Sequence, residues 1–253
     1  MIRIRSKKEI ELIATSCQIV SDTLDMLSDH VKPGVKINDL DKMAEKFIIN
    51  CGARPAFKGY MGFPATLCVS VDDEVVHGIP NDRILKEGQI VGIDCGAEKD
   101  GYFGDHARTF SVGKITNDKQ KLMDITHKSL MLGIAEASPD NFVSDIGYAI
   151  QSYVEKYGYS VVRELVGHGI GTELHEEPQI PNYGEPKQGY RLREGMCIAI
   201  EPMINLGSKE IKTDSDGWTI RTLDGQVSAH FEHTIAITSN GPKILSQREN
   251  VNA

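Results

Sequence analysis

The chain has 253 residues, enough to bury a sizeable core in one large domain or two small ones. Apolar content of 40% and charged content of 25% are ordinary for a globular protein, while a net charge of −8 argues against a general nucleic-acid or membrane-surface binder. Cys17, Cys51, Cys68, Cys95 and Cys197 are scattered without a CxxC pair, which speaks for reduced thiols rather than a disulfide framework. No apolar run approaches the roughly 18–20 residues of a membrane span. The basic start MIRIRSKKEI leads into no signal-peptide apolar region, so the cytosol is the expected compartment.

Ser6 and Glu9 make a capping-box pattern at a helix start. Ile10, Ile13, Cys17, Val20, Leu24, Leu27 and Val31 follow at helical spacing and predict one apolar stripe. Pro33-Gly34 ends that helix. A second helix is predicted with Leu40, Met43, Phe47 and Ile48 inward, ending near Gly52. The segment 65–80, ATLCVSVDDEVVHGIP, alternates like a strand and delivers His77 at its end. Residues 85–113 predict a strand with Asp94, a turn around Lys99-Asp100-Gly101, and a strand with Asp105. Alternate side chains of a strand share a face, so Gly92 accompanies Asp94 and Ala107 accompanies Asp105. Further on, Glu201 shares a face with Ala199, and Glu232 with Thr234 and Ala236. Ile198, Ile200, Phe231, Ile235 and Ile237 point the other way, toward a core.

An internal repeat runs through these elements. Pro33, Asp39, Leu40 and Gly52 return with the same internal spacing as Pro139, Asp145, Ile146 and Gly158. His77-Gly78-Ile79 returns as His168-Gly169-Ile170, and Leu85-Lys86-Glu87-Gly88 as Leu192-Arg193-Glu194-Gly195. Asp105-His106 matches Glu232-His233. Two related halves, about 6–113 and 114–243, are therefore expected in one α+β domain, with the acids meeting between them.

Four carboxylates converging on faces of small residues would repel one another and resist desolvation unless cations were present. Two divalent ions would restore near-neutrality, and His168 would add one imidazole. Mostly oxygen donors with one nitrogen suit Mn2+ or Fe2+ and tolerate Co2+ or Zn2+. No HExxH helix or Cys-rich zinc motif is present.

Asp94, Asp105, His168, Glu201 and Glu232, within GIDCGA, GYFGDHARTF, GHGIG, AIEPM and HFEHT, resemble the five-ligand set of the methionine aminopeptidases. HGIP, LHEEPQI and the DGWTIRTLDGQVSAHFEHT block extend the resemblance over nearly the whole chain. The short N-terminus and the lack of a long insert in the second half resemble the type I, bacterial-style members. The resemblance implies the pita-bread fold shared with creatinase and the proline-specific peptidases, in which pseudo-symmetric halves pack helices on a curved antiparallel sheet.

It also implies roles. Asp105 and Glu232 would bridge two metals, Asp94 would hold one, and His168 with Glu201 would complete the other. Glu201 would also shuttle a proton, while His77 and His175 would contact the scissile amide and the tetrahedral intermediate. Tyr60, Phe63, Cys68 and Trp218 match positions that line the methionine side-chain pocket. Leu174 stands where relatives commonly have an aromatic, and His106 replaces a small or hydroxyl residue. The implied activity is removal of N-terminal methionine before a small second residue. The implied partners are N-termini of nascent polypeptides and short peptides, with ribosome association as a further expectation and neither nucleic acid nor membrane. A cytoplasmic monomer is implied as well. Two other readings stand beside this one. An Xaa-Pro aminopeptidase of the same fold usually carries a further N-terminal domain, and a metal-free peptide-binding module would not need all five ligands.

Overall fold

The computed structural model describes residues 2–247. Two helix pairs, α1 (Lys7–Ser28) with α2 (Ile37–Asn50) and α3 (Asn117–Glu136) with α4 (Val143–Val154), back the strands of the two halves. The first half supplies β1 (Arg54–Pro55), β2 (Leu67–Val71), β3 (Glu74–Val76), β4 (Ile90–Lys99) and β5 (Tyr102–Ser111). The second opens with β6 (Ser160–Val161), β7 (Gly167–Gly169), β8 (Glu176–Ile180), β9 (Cys197–Ile200) and β10 (Met203–Asn205). It closes with β11 (Ile211–Thr213), β12 (Ile220–Thr222), β13 (Ser228–His230), β14 (His233–Thr238) and β15 (Gly241–Ile244).

Every strand pairing is antiparallel. One sheet runs β1-β4-β2 with β5 on the remaining edge of β4, and another runs β15-β14-β9-β7-β8. Two small ladders, β13-β10-β6 and β11-β12-β3, complete the β-structure. Each large sheet turns its apolar face to its own helix pair. Leu24, Leu40 and Ile48 pack with Val69, Ile93 and Cys95 in the first half. Leu130, Ile146 and Ile150 pack with Ile198, Ile200, Ile235 and Ile237 in the second. Truncating one such fully buried side chain to alanine costs about 2–5 kcal/mol.

Ser6 caps α1 with the full reciprocal box to Glu9, and the apolar stripe lies where its spacing put it, except that Ile10 is half-buried. In α2 the inward face is Ile37, Leu40, Ala44 and Ile48, which leaves the expected Met43 and Phe47 half-buried at its edge. The segment 65–80 departs further. It makes two strands, not one, because the chain turns at Asp72 with φ 53°. The Asp72 carboxylate holds that turn by accepting the Ile90 N–H at 3.1 Å and the Lys119 ammonium at 2.5 Å.

The internal repeat has a hydrogen-bond counterpart. Gly34 N–H donates to the Leu85 carbonyl and Leu85 N–H to that of Val35. Asp140 N–H donates likewise to Leu192, and Leu192 N–H to Asn141. Isolated bridges Lys36–Ile84 and Phe142–Arg191 repeat the same closure, and Gly88 and Gly195 share φ values of 86° and 88°. The halves meet where β5 passes the start of β14. There Glu232 N–H donates to the Ala107 carbonyl at 2.9 Å, and the Thr234 hydroxyl to the Asp105 carbonyl at 2.8 Å. His106 and His233 stack across the seam with centroids 4.5 Å apart and planes 10° from parallel.

Candidate active site

The first two acids are placed by a hairpin. Asp100 and Gly101 have φ values of 53° and 81°, the paired positive values that a tight primed turn requires. The resulting register sets Asp94 opposite Ala107 and Asp105 opposite Gly96. The two carboxylates are thus diagonal neighbours on one face, while Ile93 and Cys95 enter the core behind. His168 comes from the short strand β7, squeezed between β8 and β9. A Cβ on Gly167 would stand 2.3 Å from the Ala199 carbonyl oxygen, and one on Gly169 2.4 Å from that of Glu177. Only glycines on either side of His168 admit this close approach. Glu201 stands just past β9 and Glu232 just before β14.

These residues face one pocket of about 220 Å3. Its lining includes the acids Asp94, Asp105, Glu201 and Glu232, the imidazoles of His77, His168 and His175, and the wall residues Tyr60, Phe63, Cys68 and Trp218. Asp105 and Glu232 are 3% and 2% exposed. Among the described residues, Asp105, His168 and Glu232 each bring a ligand atom within 4.8 Å of the other two. Glu201 Oε1 lies 3.7 Å from His168 Nε2. Asp94 stands outside that tightest trio, in the lining of the same pocket.

The donor set fits a cation and little else. Asp94 Oδ1, Asp105 Oδ1 and Glu232 Oε1 are buried without a hydrogen-bond partner. His168 Nδ1 lies 2.9 Å from the Gly169 carbonyl, so it carries the proton and leaves Nε2 a bare lone pair. That lone pair faces Asp105 Oδ2 at 4.0 Å and Glu201 Oε1 at 3.7 Å. Lone pairs aimed at one another at low dielectric are costly. Burial pushes the Asp94 carboxyl up to about 7 and Glu201 to about 8. Burial, then the Asp94 charge, lifts Asp105 well above its ordinary range, and burial with Asp105 does the same to Glu232. Burial pulls the His168 imidazole down to about 3. A divalent ion reverses all of these penalties.

Around this centre, His175 Nδ1 bonds the Tyr60 hydroxyl at 2.8 Å and its ring stands edge-on to His168, centroids 4.2 Å apart. His77 sits in left-handed backbone, φ 58°, an uncommon conformation for a residue with a side chain. Burial lowers its pKa to about 4. Phe63 and Trp218 meet edge-to-face at 5.1 Å, a favourable aromatic geometry. Leu174 is buried in the same apolar cluster. Sequence reading missed His230, whose Nε2 lies 3.6 Å from Glu201 Oε2. Its place two residues before Glu232 was the available signal. It also missed Phe57, Leu165, Val166 and Met203, which reach the pocket from three segments.

A duplicated, helix-backed antiparallel scaffold with buried acids around one imidazole is the architecture of a metallopeptidase. Residues 11–239 match the model for metallopeptidase family M24, and the chain belongs to that family. Its similarity falls with one branch of it, the type I, bacterial-style methionine aminopeptidases. Methionine aminopeptidase 1 of Bacillus subtilis (strain 168) is 51% identical over 247 residues, covering 98% of this chain and 100% of that protein. The crystal structure of methionine aminopeptidase from Rickettsia prowazekii matches with a TM-score of 0.96 at 43% identity, covering 98% and 100% of the two chains. A prolidase from Pyrococcus furiosus shares the fold at a TM-score of 0.80 and 26% identity, covering 98% of this chain and 66% of its own. The fold is therefore the pita-bread fold, and the chain is a metal-dependent hydrolase.

Proposed function

We infer that this chain removes the N-terminal methionine from polypeptides whose second residue is small, using two divalent ions held by Asp94, Asp105, His168, Glu201 and Glu232. The observation that carries this reading is the set of unpartnered carboxylate oxygens in a pocket walled by Phe63 and Trp218. Mn2+, Fe2+ or Co2+ suits that donor set, and Zn2+ is tolerated. When bound, such ions make water acidic enough to act at neutral pH and polarise the scissile carbonyl.

The protein's own groups do the rest. An apolar, aromatic-walled slot accepts an unbranched thioether. Glu201 is positioned to take the proton of the attacking water and return it to the departing amine. Burial raises its pKa, and a bound cation acts in the opposite sense. Tyr60 keeps its proton, because burial raises its pKa. Its hydroxyl can therefore donate to His175 Nδ1 and leave the Nε2 proton free to face substrate. His77, with its pKa near 4, stays neutral at pH 7 and can donate a hydrogen bond without adding charge.

A proline-specific aminopeptidase is the less supported alternative, since the prolidase match is weaker and spans only part of that chain. A metal-free binding module would leave the buried acids unexplained. One unit acting as a cytoplasmic monomer that meets nascent chains at the ribosome belongs to the reading too; light scattering on the purified chain tests the monomer. The deciding experiment is hydrolysis of Met-Ala-Ser, Leu-Ala-Ser and Ala-Pro-Ala by metal-stripped protein reconstituted with each ion, with Asp94→Ala as control. Release of methionine alone, lost in the control, is expected; cleavage of Ala-Pro-Ala instead would overturn the methionine assignment.

A further inference from the structure

Trp218 reaches the pocket from the connection between β11 and β12, a hairpin whose Ile211 and Ile220 pack against Val75 and Val76 and whose Thr222 N–H donates to the Asp73 carbonyl at 3.0 Å. The ladder joining β12 to β3 has two residue pairs, Ile220–Val76 and Arg221–Glu74, with a register break between them. Within the connection, Asp216 accepts the backbone N–H groups of Trp218 and Thr219 at 2.8 and 2.9 Å and the Thr219 hydroxyl at 2.6 Å. The tip is thus internally braced, and its position depends on how the hairpin is fastened at its base.

The ionic part of the fastening converges on one guanidinium. Arg221 Nη1 reaches both Asp73 oxygens at 2.9 and 3.0 Å, Nη2 reaches Glu74 Oε1 at 2.6 Å, and Nε reaches Asp214 Oδ2 at 2.6 Å. Asp73 and Glu74 belong to the β2–β3 segment that runs on to His77, whereas Asp214 follows β11. Glu74, its side chain 2% exposed, is itself fixed by the Val71 N–H and by Arg83. A planar fork with fixed donors can satisfy three carboxylates at once, which a lysine ammonium cannot do with the same geometry.

We propose that Arg221 is a positioning residue that locks the β11–β12 hairpin to β3, sets the place of Trp218, and thereby tunes affinity for the substrate's first side chain. The effect on affinity rests on the reading of this pocket as the methionine slot; the lock itself does not. Removing the guanidinium does more than delete hydrogen bonds. Asp214 on the hairpin would then face Asp73 and Glu74 without a shared cation, so the base of the hairpin would be pushed outward.

Trp218 is the only tryptophan in the chain, so its emission reports the hairpin directly. The test compares the metal-loaded parent with Arg221→Met, Arg221→Lys, Asp214→Asn and the Arg221→Met/Asp214→Asn pair. Arg221→Met is expected to red-shift the emission, increase acrylamide quenching, and raise KM for Met-Ala-Ser about tenfold with kcat held within about threefold. Arg221→Lys should fall between parent and Arg221→Met. Adding Asp214→Asn to Arg221→Met should recover part of both changes by removing the repulsion. Unchanged emission and KM in Arg221→Met would overturn the proposal, as would a fall in kcat at constant KM. Should Arg221→Met fail to fold, Asp214→Asn decides alone, with an intermediate red shift expected and none overturning the proposal. If the parent turns over no methionyl peptide, the activity reading fails while the emission series still tests the lock.

Discussion

The two halves close their pairs of acids differently. In the first, Asp94 and Asp105 sit on neighbouring strands joined by the tight turn at Asp100-Gly101. In the second, Glu201 and Glu232 are separated by β10 to β13, a stretch with no counterpart in the first half. Everything the halves share serves the acid centre of the pocket: helix pair, closure bonds, and one acid from each half at the seam. What the second half adds supplies Met203, Trp218 and His230, which join Tyr60, Phe63 and Cys68 of the first half around the pocket and bring an extra imidazole. The comparison places the proposed metal ligands at the ends of the duplicated scaffold, while the unpaired insertion adds Trp218 to apolar residues that the first half already brings to the pocket.

That division can be broken at its strongest point. Asp105→Asn should lower turnover by on the order of a thousandfold and weaken metal binding in calorimetry. Activity retained at half the parent level would show that the shared acids are not the centre. His175→Ala should cost about a hundredfold in kcat while metal affinity stays within about threefold; a parallel loss of metal would move His175 into the ligand set. On the inserted side, Trp218→Leu should raise KM about tenfold with little change in kcat. An unchanged KM would separate the insertion from selectivity.

The smallest expected effect concerns stability. In the metal-free protein the folded state holds protons on Asp94 and Glu201 up to about 7 and about 8. The unfolded chain releases them near 4. Between those limits the native state binds more protons at these two groups, so their contribution to stability falls as pH rises and levels off above the folded values. Buried histidines such as His77 and His168, whose pKa values are lowered, act in the opposite sense below about pH 6.5, so the acids' share is read as a difference: from pH 5 to pH 8 the metal-free parent should lose a few degrees of melting temperature relative to an Asp94→Asn/Glu201→Gln variant. With Mn2+ present the trend from these groups should reverse, because metal competes with protons for the same oxygens. Parent and variant curves that run parallel over this range would contradict the burial of these acids.

Much of this was readable in the chain because it is local or periodic. The Ser6–Glu9 box, the apolar stripe of α1 and the turn at Asp100-Gly101 each depend on residues a few positions apart. The repeat then brought distant acids together without any coordinates. Where reading failed, a distant group decided the outcome. Segment 65–80 breaks at Asp72 because Lys119 and Ile90 hold the turn. The inward face of α2 rotates to include Ala44, a residue too small to signal burial. His230 escaped because it closes a separate short strand, β13, and its spacing of two from Glu232 was the one local sign that the two share a face. Arg221 and its three acids are likewise joined only by the fold.

The bonds across the seam also set the timing of synthesis. Glu232 docks on Ala107, and Thr234 on Asp105, so the centre cannot exist until the second half has been made and has returned to the first. Contacts so far apart in sequence form late and slowly. A chain leaving the ribosome would therefore carry Asp94 and Asp105 well before Glu201 and Glu232 have been made to complete the centre. Uptake of metal by a stalled series of growing chains would appear abruptly, only after the last of these strands is free of the exit tunnel.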